Sequence, residues 1–474
     1  MATVIEQEPL FTRMPVGQKI IYTVSNSTIV ATELRVKFVA RVYITSGLPP
    51  VLGVDTPIGT FKTIPNNKGV GIFDFSELIS NYVSSDNLST DGSTYKKLGQ
   101  PTNSEFAIHL IDRFSMNANS CRHVTILFGT EYLDGNQIVN VQGVISRPLE
   151  IFNGYAKYSD LLQFEGLNNN YGYYYANLFL GNSTRKFLTN APITQWANKT
   201  DYGTLSYSSE LDSNNNESVS YVKFEYYPEY DAGGTILPLN DQFDRNSSTG
   251  AYGVWESKTS NMIIFFGAFP GNLRVYGANF RTYLSAEEVK SYTIQTFNVL
   301  NSETSEKITV NISCPSLKGY QPIRLTWLNQ WGTWDYYTFM QKSIRTTSTK
   351  GTTYNQLDGE WNGSGYKIDG FKGGKKSFRV NATETIKMNS DYLSEEHSEW
   401  FEELINSPEV YILKTAISPT DYDSTAASFD SLERFVTPVR LKTTSLTKKT
   451  VANDKLIQYT IEVEKSRTLR TQSV

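Results

Sequence analysis

The chain has 474 residues, more than one hydrophobic core normally serves, so two to four domains are expected. An apolar content of 39% excludes a disordered chain, and a net charge of −4 argues against a nucleic-acid partner. Charged residues make up only 19%; Ser, Thr, Asn, Gly and aromatics take their place, with 30 Tyr and 25 Phe, a composition of β-rich proteins with long polar loops.

The N-terminal MATVIEQEPLFTRMPVGQK lacks the basic and apolar regions of a signal peptide. No stretch reaches the roughly 20 apolar residues of a membrane span. KIIYTVSN (19–26) and LRVKFVARVYIT (34–45) read as strands. In the second, Val36, Phe38, Ala40, Val42 and Ile44 share one face, with Arg35, Lys37 and Arg41 on the other. FDFSELISNYV (73–83) predicts a short helix capped by Ser76, and FAIHLID (106–112) and HVTILFG (123–129) predict further strands. Together these make a β-sandwich-like domain over 1–145.

Residues 146–290 change character. NNNYGYYYANLF (168–179) is rich in Asn and Tyr, while YVKFEYYPEY (221–230), MIIFFGAF (262–269) and NLRVYGANF (272–280) read as strands. SSELDSNNNES (208–218) and LNDQFDRNSSTGAYG (239–253) read as long loops of the functional or contact-making kind. This is a second β domain.

A third domain, 291–474, starts with YTIQTFNV (292–299) and KITVNISC (307–314). In RLTWLNQWGTWDYYTF (324–339), three of the chain's seven tryptophans fall on a hairpin about Gly332. SGYKIDG and KSFRVNATETIKM continue the sheet. SEEHSEWFEELINS (394–407) is the one clear helix, capped by Ser394, with Trp400, Phe401, Leu404 and Ile405 as its apolar stripe. In KLIQYTIEVEKS (455–466), Ile457, Tyr459, Ile461 and Val463 point inward. The fold class is therefore mainly β: several β-sandwich-like modules with one clear helix in the C-terminal domain.

Little in the chain looks catalytic. Of the three histidines, His109 sits in an apolar strand, His397 on the polar side of the helix, and His123 two residues from Cys121. A single C-x-H pair is half of a zinc site. Asp212, Asn214 and Asn216 imitate the start of a calcium loop, but Glu217 replaces its glycine and Lys223 its final glutamate. Glu225 and Glu229 have the composition of a glycosidase pair, as do many acidic residues in polar loops. No cofactor, metal or catalytic residue is expected. Cys121 and Cys314 are too few for a disulfide framework and read as buried thiols.

The aromatics remain. Trp331, Trp334, Tyr336 and Tyr337 are the candidate interface residues, with domain core and sugar platform as the other roles such side chains serve. Tyr171, Tyr173, Tyr174 and Tyr175 are the candidate glycan contacts. Charge is also uneven: Arg434 to the end carries nine Lys/Arg against three Asp/Glu, and Asp201–Ser260 three against ten, which favours head-to-tail contact between copies or a charged neighbour, with solvated loops and a frayed tail as the other reading of either segment.

The hairpin, NSDYLSEEHSEWFEELINSPEVYIL (389–413), NDKLIQYTIEVEKS (453–466), FKTIPNNKGVGIFDFSELISNYVSSDN (61–87) and KFLTNAP (186–192) resemble structural proteins of tailed bacteriophages, especially marine and flavobacterial ones. The resemblance covers most of the chain and is thinnest in the middle acidic loops. It implies a non-enzymatic virion protein of the tail or baseplate, made in host cytoplasm without a signal peptide. Its partners would be copies of itself and neighbouring virion proteins. A host-glycan adhesin and a glycan-degrading virion enzyme are the alternative expectations.

Overall fold

The computed structural model describes residues 2–45, 49–85, 114–117, 120–156, 180–208, 219–244, 263–313, 319–413, 436–448 and 457–473. The protein is mainly β, built of several separate sheets with few helices. It divides into two compact units. The first takes in Met1–Ser313 and Leu328–Asp335; the second takes in Cys314–Trp327, Tyr336–Ile417 and Asp430–Val474.

The first unit begins with β1 (Val4–Gln7), β2 (Arg13–Gly17) and β3 (Ile21–Ser25), then α1 (Ser27–Thr32), β4 (Leu34–Thr45), β5 (Gly59–Thr63), β6 (Val70–Asp74) and α2 (Ser76–Ser80). It continues through β7 (Phe114–Asn117), β8 (Cys121–Asp134), β9 (Gln137–Ile145) and β10 (Leu149–Tyr155). One sheet has the order β1-β3-β6, and a larger one runs β2-β10-β8-β4-β5 with β9 also on β8. The two pack face to face through aromatics. Tyr22 and Phe73 from the small sheet lie 5.4 Å and 5.7 Å from Phe128 of the large one, and Phe73 stacks on Phe75. The alternation read for β4 holds: Val36, Phe38, Ala40 and Val42 are buried, and Arg35, Lys37 and Arg41 are exposed. At α2 the expected cap differs. Ser76 opens the helix, and the carboxylate of Asp74 accepts from its backbone N–H (3.1 Å) and its hydroxyl.

The rest of the first unit comprises β11 (Thr194–Asn198), β12 (Thr204–Ser208), β13 (Tyr221–Tyr227), β14 (Asp241–Asp244), β15 (Ile263–Gly267), α3 (Pro270–Tyr276), α4 (Ala278–Ser285), β16 (Ser291–Phe297) and β17 (Ile308–Ser313). A five-stranded sheet runs β11-β17-β16-β13-β14 and a three-stranded one β12-β15-β7. Two expectations are corrected here. NLRVYGANF is helical, not a strand: Pro270 starts α3, and the buried carboxylate of Asp241 receives the first N–H groups of α4, from Asn279 (3.2 Å) and Phe280 (2.8 Å). LNDQFD contains a strand, because Gln242 and Phe243 pair with Lys223 and Val222.

The three-domain division of 1–145, 146–290 and 291–474 also gives way. Strand β10 pairs with β8 across the first boundary, and β7 pairs with β15. Strands β16 and β17, expected to open the third domain, sit inside the five-stranded sheet, with β16 between β13 and β17. Apolar alternation marks a strand but does not name its partner.

The second unit holds, apart from Leu328, Trp334 and Asp335 at the turn, β18 (Ile323–Leu328), β19 (Trp334–Phe339), β20 (Ser343–Gln356), β21 (Gly359–Trp361), β22 (Tyr366–Ile368), β23 (Gly374–Asn389), α5 (Glu396–Asn406), β24 (Val410–Leu413), β25 (Val436–Leu441), β26 (Thr460–Lys465) and β27 (Arg470–Ser473). Its main sheet runs β19-β18-β24-β25-β26-β23-β20, with β27 also on β23. The helix forms where expected and buries Trp400, Phe401 and Leu404. Trp400 meets Trp327 (5.0 Å), and Phe401 meets Tyr337 (5.0 Å) and Tyr459 (5.7 Å). Ile457, Tyr459, Ile461 and Val463 are buried, as their alternation indicates. Ser394 does not cap the helix through its side chain; its hydroxyl is shared with His397 Nδ1 (2.9 Å), and Glu395 occupies the cap position.

Candidate functional site

The tryptophan hairpin is core, which corrects its reading as an interface. Trp331, Trp334 and Tyr336 are each no more than 4% exposed, and Tyr337 is half-buried. The tip, Leu328–Asp335, is part of the first unit. Asn329 Oδ1 accepts from the backbone of Trp331 (3.0 Å) and Thr333 (3.1 Å), closing the turn on itself. Asn329 Nδ2 and the Thr333 hydroxyl both donate to Leu188 O, at 2.9 Å and 2.7 Å, and Thr189 donates to Asp335 (2.7 Å). Tyr155 N donates to Gln330 O (2.9 Å). Gly332, at φ +74°, lies so close to Asn153 that an added Cβ would fall 1.5 Å from that carbonyl oxygen. The side chains of Asn329 and Thr333 and the carbonyl of Gln330 are thus engaged inside the fold.

The second unit's share of the run is equally internal. Trp327 and Arg324 are fully buried; the Arg324 guanidinium lies 5.1 Å above the Tyr336 ring and donates to Thr338 (2.9 Å). The Tyr337 hydroxyl accepts from Asp391 N (3.1 Å), and burial raises its pKa.

The remaining candidates are dispersed. Tyr171, Tyr173, Tyr174, Tyr175, His109, Asp212, Asn214, Asn216 and Cys314 lie outside the described residues. Glu225 lies on β13 with Lys223 at 2.8 Å and Lys307 at 3.7 Å. Burial lifts its pKa, but the two ammonium groups outweigh that and hold it below the usual carboxylate range, which suits an ion pair and not a proton donor. Glu229 is exposed beyond the strand's end. Cys121 and His123 lie on β8, across from Phe152 and Glu150 of β10. Among the described residues no group of three or more His, Cys, Asp or Glu is arranged to hold a metal ion, and no helix is long and apolar enough to cross a membrane.

What the structure offers instead is an arm. Strands β20 (14 residues) and β23 (16 residues) pair antiparallel from Ser343↔Met388 to Gln356↔Gly374. At about 3.3 Å per residue β20 is roughly 45 Å long. The base of β23 joins the main sheet: Thr385–Asn389 pair with β26 and Arg379–Ala382 with β27. Beyond Arg379 only Thr353–Gln356 and Gly374–Ser377 continue as a two-stranded ribbon; Ile344–Thr352 form the exposed edge strand of the main sheet.

A small hairpin caps the arm. In β21 and β22, Trp361 stands opposite Tyr366 and Gly359 opposite Ile368. Alternation puts Trp361, Tyr366 and Ile368 on one face, all exposed, with Ile368 at 72%. Glu360 and Lys367 share the other face. Phe371, Leu357 and Phe378 are also exposed. The tip is a built structure. Asn362 Oδ1 accepts from Ser364 N (3.1 Å) and Gly365 N (3.2 Å), and Asp358 Oδ1 from Gly374 N (3.2 Å). Lys372 bridges Glu360 (2.5 Å) and Asp369 (3.6 Å). Residues 343–383 carry seven Lys/Arg against three Asp/Glu, a net of +4 in a chain of −4. The signal was present in the sequence: SIRTTSTKGTTYNQ has strand-forming threonines but no apolar face, so neither side of the strand has a core to join.

No family model matches the chain, and no curated protein matches it. Among solved structures it is similar to the native conformation of E. coli alpha-2-macroglobulin, with a TM-score of 0.17 and 7% sequence identity, over 82% of this chain. The chain spans 22% of that protein's length, and a likeness this low carries no argument.

Proposed function

We propose that this chain is a non-enzymatic structural protein of a bacteriophage particle, a component of the tail or baseplate that works as one copy of a symmetric multimer. The single observation that carries this reading is the arm. Its outer end, Thr353–Gln356 with Gly374–Ser377 and the small hairpin, has only two strands and is marginal in water by itself, and a tip presenting Trp361, Tyr366 and Ile368 gains stability when something covers it. The resemblance of long phrases of the sequence to phage structural proteins supplies the setting. The rigid β modules, with their aromatic cores, suit a part that bears load and positions neighbours.

The test is immunogold labelling of purified phage particles with antibody raised against the recombinant protein. Label at the tail end is the expected result. Protein found only in the soluble lysate, and absent from particles, would sink the proposal. A second reading, a host-glycan adhesin, draws on the side-by-side Trp361 and Tyr366, since exposed aromatic pairs stack on apolar sugar faces. Binding of the full chain to host-envelope polysaccharide, lost in W361A, would favour it.

A further inference from the structure

Apolar surface and charge are sorted along the arm. Leu357, Trp361, Tyr366, Ile368, Phe371 and Phe378 are all exposed, Leu357 at 75% and Phe371 at 77%. Leu357 precedes β21 and Phe371 sits in the turn after β22, so the apolar surface continues past the Trp361–Tyr366–Ile368 face to both ends of the small hairpin. The tip's own carboxylates are engaged within the arm: Asp358 accepts from Gly374 N (3.2 Å), and Glu360 and Asp369 both meet Lys372. Behind the tip the charge has one sign. Residues 343–356 and 374–383 carry Arg345, Lys350, Lys375, Lys376 and Arg379 and no Asp or Glu. Lys375 and Arg379 are exposed and Lys376 is half-buried; among the described residues none of the three has a carboxylate partner. The arm thus ends in an apolar knob with a basic strip directly behind it.

We infer that the arm tip seats in the headgroup layer of an anionic lipid surface, with Trp361, Tyr366 and Ile368 at the acyl boundary and the basic strip facing lipid phosphates. The inference goes beyond the structural role proposed above and does not depend on it. Trp and Tyr favour that layer, because the ring enters the apolar side while the N–H or O–H stays wet. The dimensions agree. β21 and β22 have three residues each, about 10 Å of strand, and an interfacial element sits about 5–10 Å deep. The hairpin is a sheet of two strands, so both of its edges carry unpaired backbone groups that hold it in the hydrated layer and out of the hydrocarbon. Charge selects the occupant. A seated tip brings Lys375 and Lys376, the second and third residues of β23, to the level of the phosphates, with Arg379 and Lys350 behind them and no carboxylate in the strip to oppose them. A sugar would need hydrogen-bonding groups beside the rings, and Asp358, Glu360, Asn362 and Asp369 already serve the tip itself.

The experiment is cosedimentation of the full chain with vesicles of phosphatidylcholine alone, and with vesicles of phosphatidylcholine and phosphatidylglycerol in equal parts, at low and high salt. The tip variant is W361S/I368S and the strip variant is K375Q/K376Q/R379Q. The control is W196A, which removes an exposed tryptophan of β11 in the first unit. A melting curve for each variant confirms that it is folded. The wild type is expected to bind the mixed vesicles about tenfold more tightly than phosphatidylcholine, an advantage that high salt removes. The tip variant is expected to bind both vesicles at least roughly tenfold more weakly. The strip variant is expected to keep the phosphatidylcholine level and lose the advantage, and the control to match the wild type. A folded wild type that binds neither vesicle overturns the inference, as does binding that the tip variant leaves intact or W196A weakens equally. An anionic preference that survives in the strip variant also overturns it. So does binding to host-envelope polysaccharide that the tip variant loses while vesicles stay unbound, which would assign the tip to a sugar. Particle labelling bears on the structural role alone, so the two readings fail separately.

Discussion

Trp331 shows how one side chain can be read two ways from its neighbours in sequence. A tryptophan two residues from Asn329 in a tight turn has the composition of an interface, yet its indole Nε1 donates to Asn190 (3.4 Å) inside the first unit. Trp331→Ala is therefore expected to cost about 3 kcal/mol or more of stability, as other large-to-small core changes do. Urea unfolding measures it; a variant with an unchanged midpoint would return the residue to the surface. His397 gives a second residue-scale prediction. Burial pushes its pKa down to about 4. The unfolded chain, with a histidine near 6.5, binds this proton more readily than the folded one, so stability falls as pH drops from about 6.5 towards 4. Between pH 7 and pH 5 the loss is about 1–2 kcal/mol. The urea midpoint of His397→Asn should vary less across that window than the wild type's; an equal slope would assign the effect to other groups.

At the scale of elements, the two halves of β23 obey different rules. Ala382, Glu384, Ile386 and Met388 are buried at every second position, and this half is part of the main sheet. From Gly374 to Arg379 no such alternation exists, and the strand is exposed except at half-buried Lys376. Replacing residues 357–373 by an Asn-Gly turn removes the tip without touching a core, so the melting temperature should stay within about 2 °C of the wild type's, in line with surface changes. A large drop in calorimetry would mean that the tip stabilises its own chain. Helix α5 and β26 are the opposite case. Their periodicities of 3.6 and 2 define their buried faces directly, and Trp400, Phe401, Ile461 and Val463 are buried where the pattern puts them.

At the scale of the whole molecule, strand pairing decides where units begin and end. A fragment ending at residue 290 keeps β11, β13 and β14 but loses β16 and β17, the strands that join them. Such a fragment is expected to expose apolar sheet surface, bind a hydrophobic dye and lack a cooperative melt. A sharp transition in the fragment would restore the boundary expected from composition.

The sequence by itself determined that the protein is mainly β, where its longest strands and its C-terminal helix lie, and which side chains of those elements face inward. All of these follow from local periodicity, which each segment carries alone. Only the tertiary structure decided that the tryptophan turn is internal, that NLRVYGANF is helical beneath the Asp241 carboxylate, that 291–313 complete a sheet begun a hundred residues earlier, and that 343–389 form an arm. Each of these depends on a partner distant in sequence: Leu188 for Asn329, Asp241 for Phe280, Trp196 for Asn311, and for the base of the arm, Ile461 for Met388. A strand's pattern states what it would bury; the strand laid beside it decides whether it does.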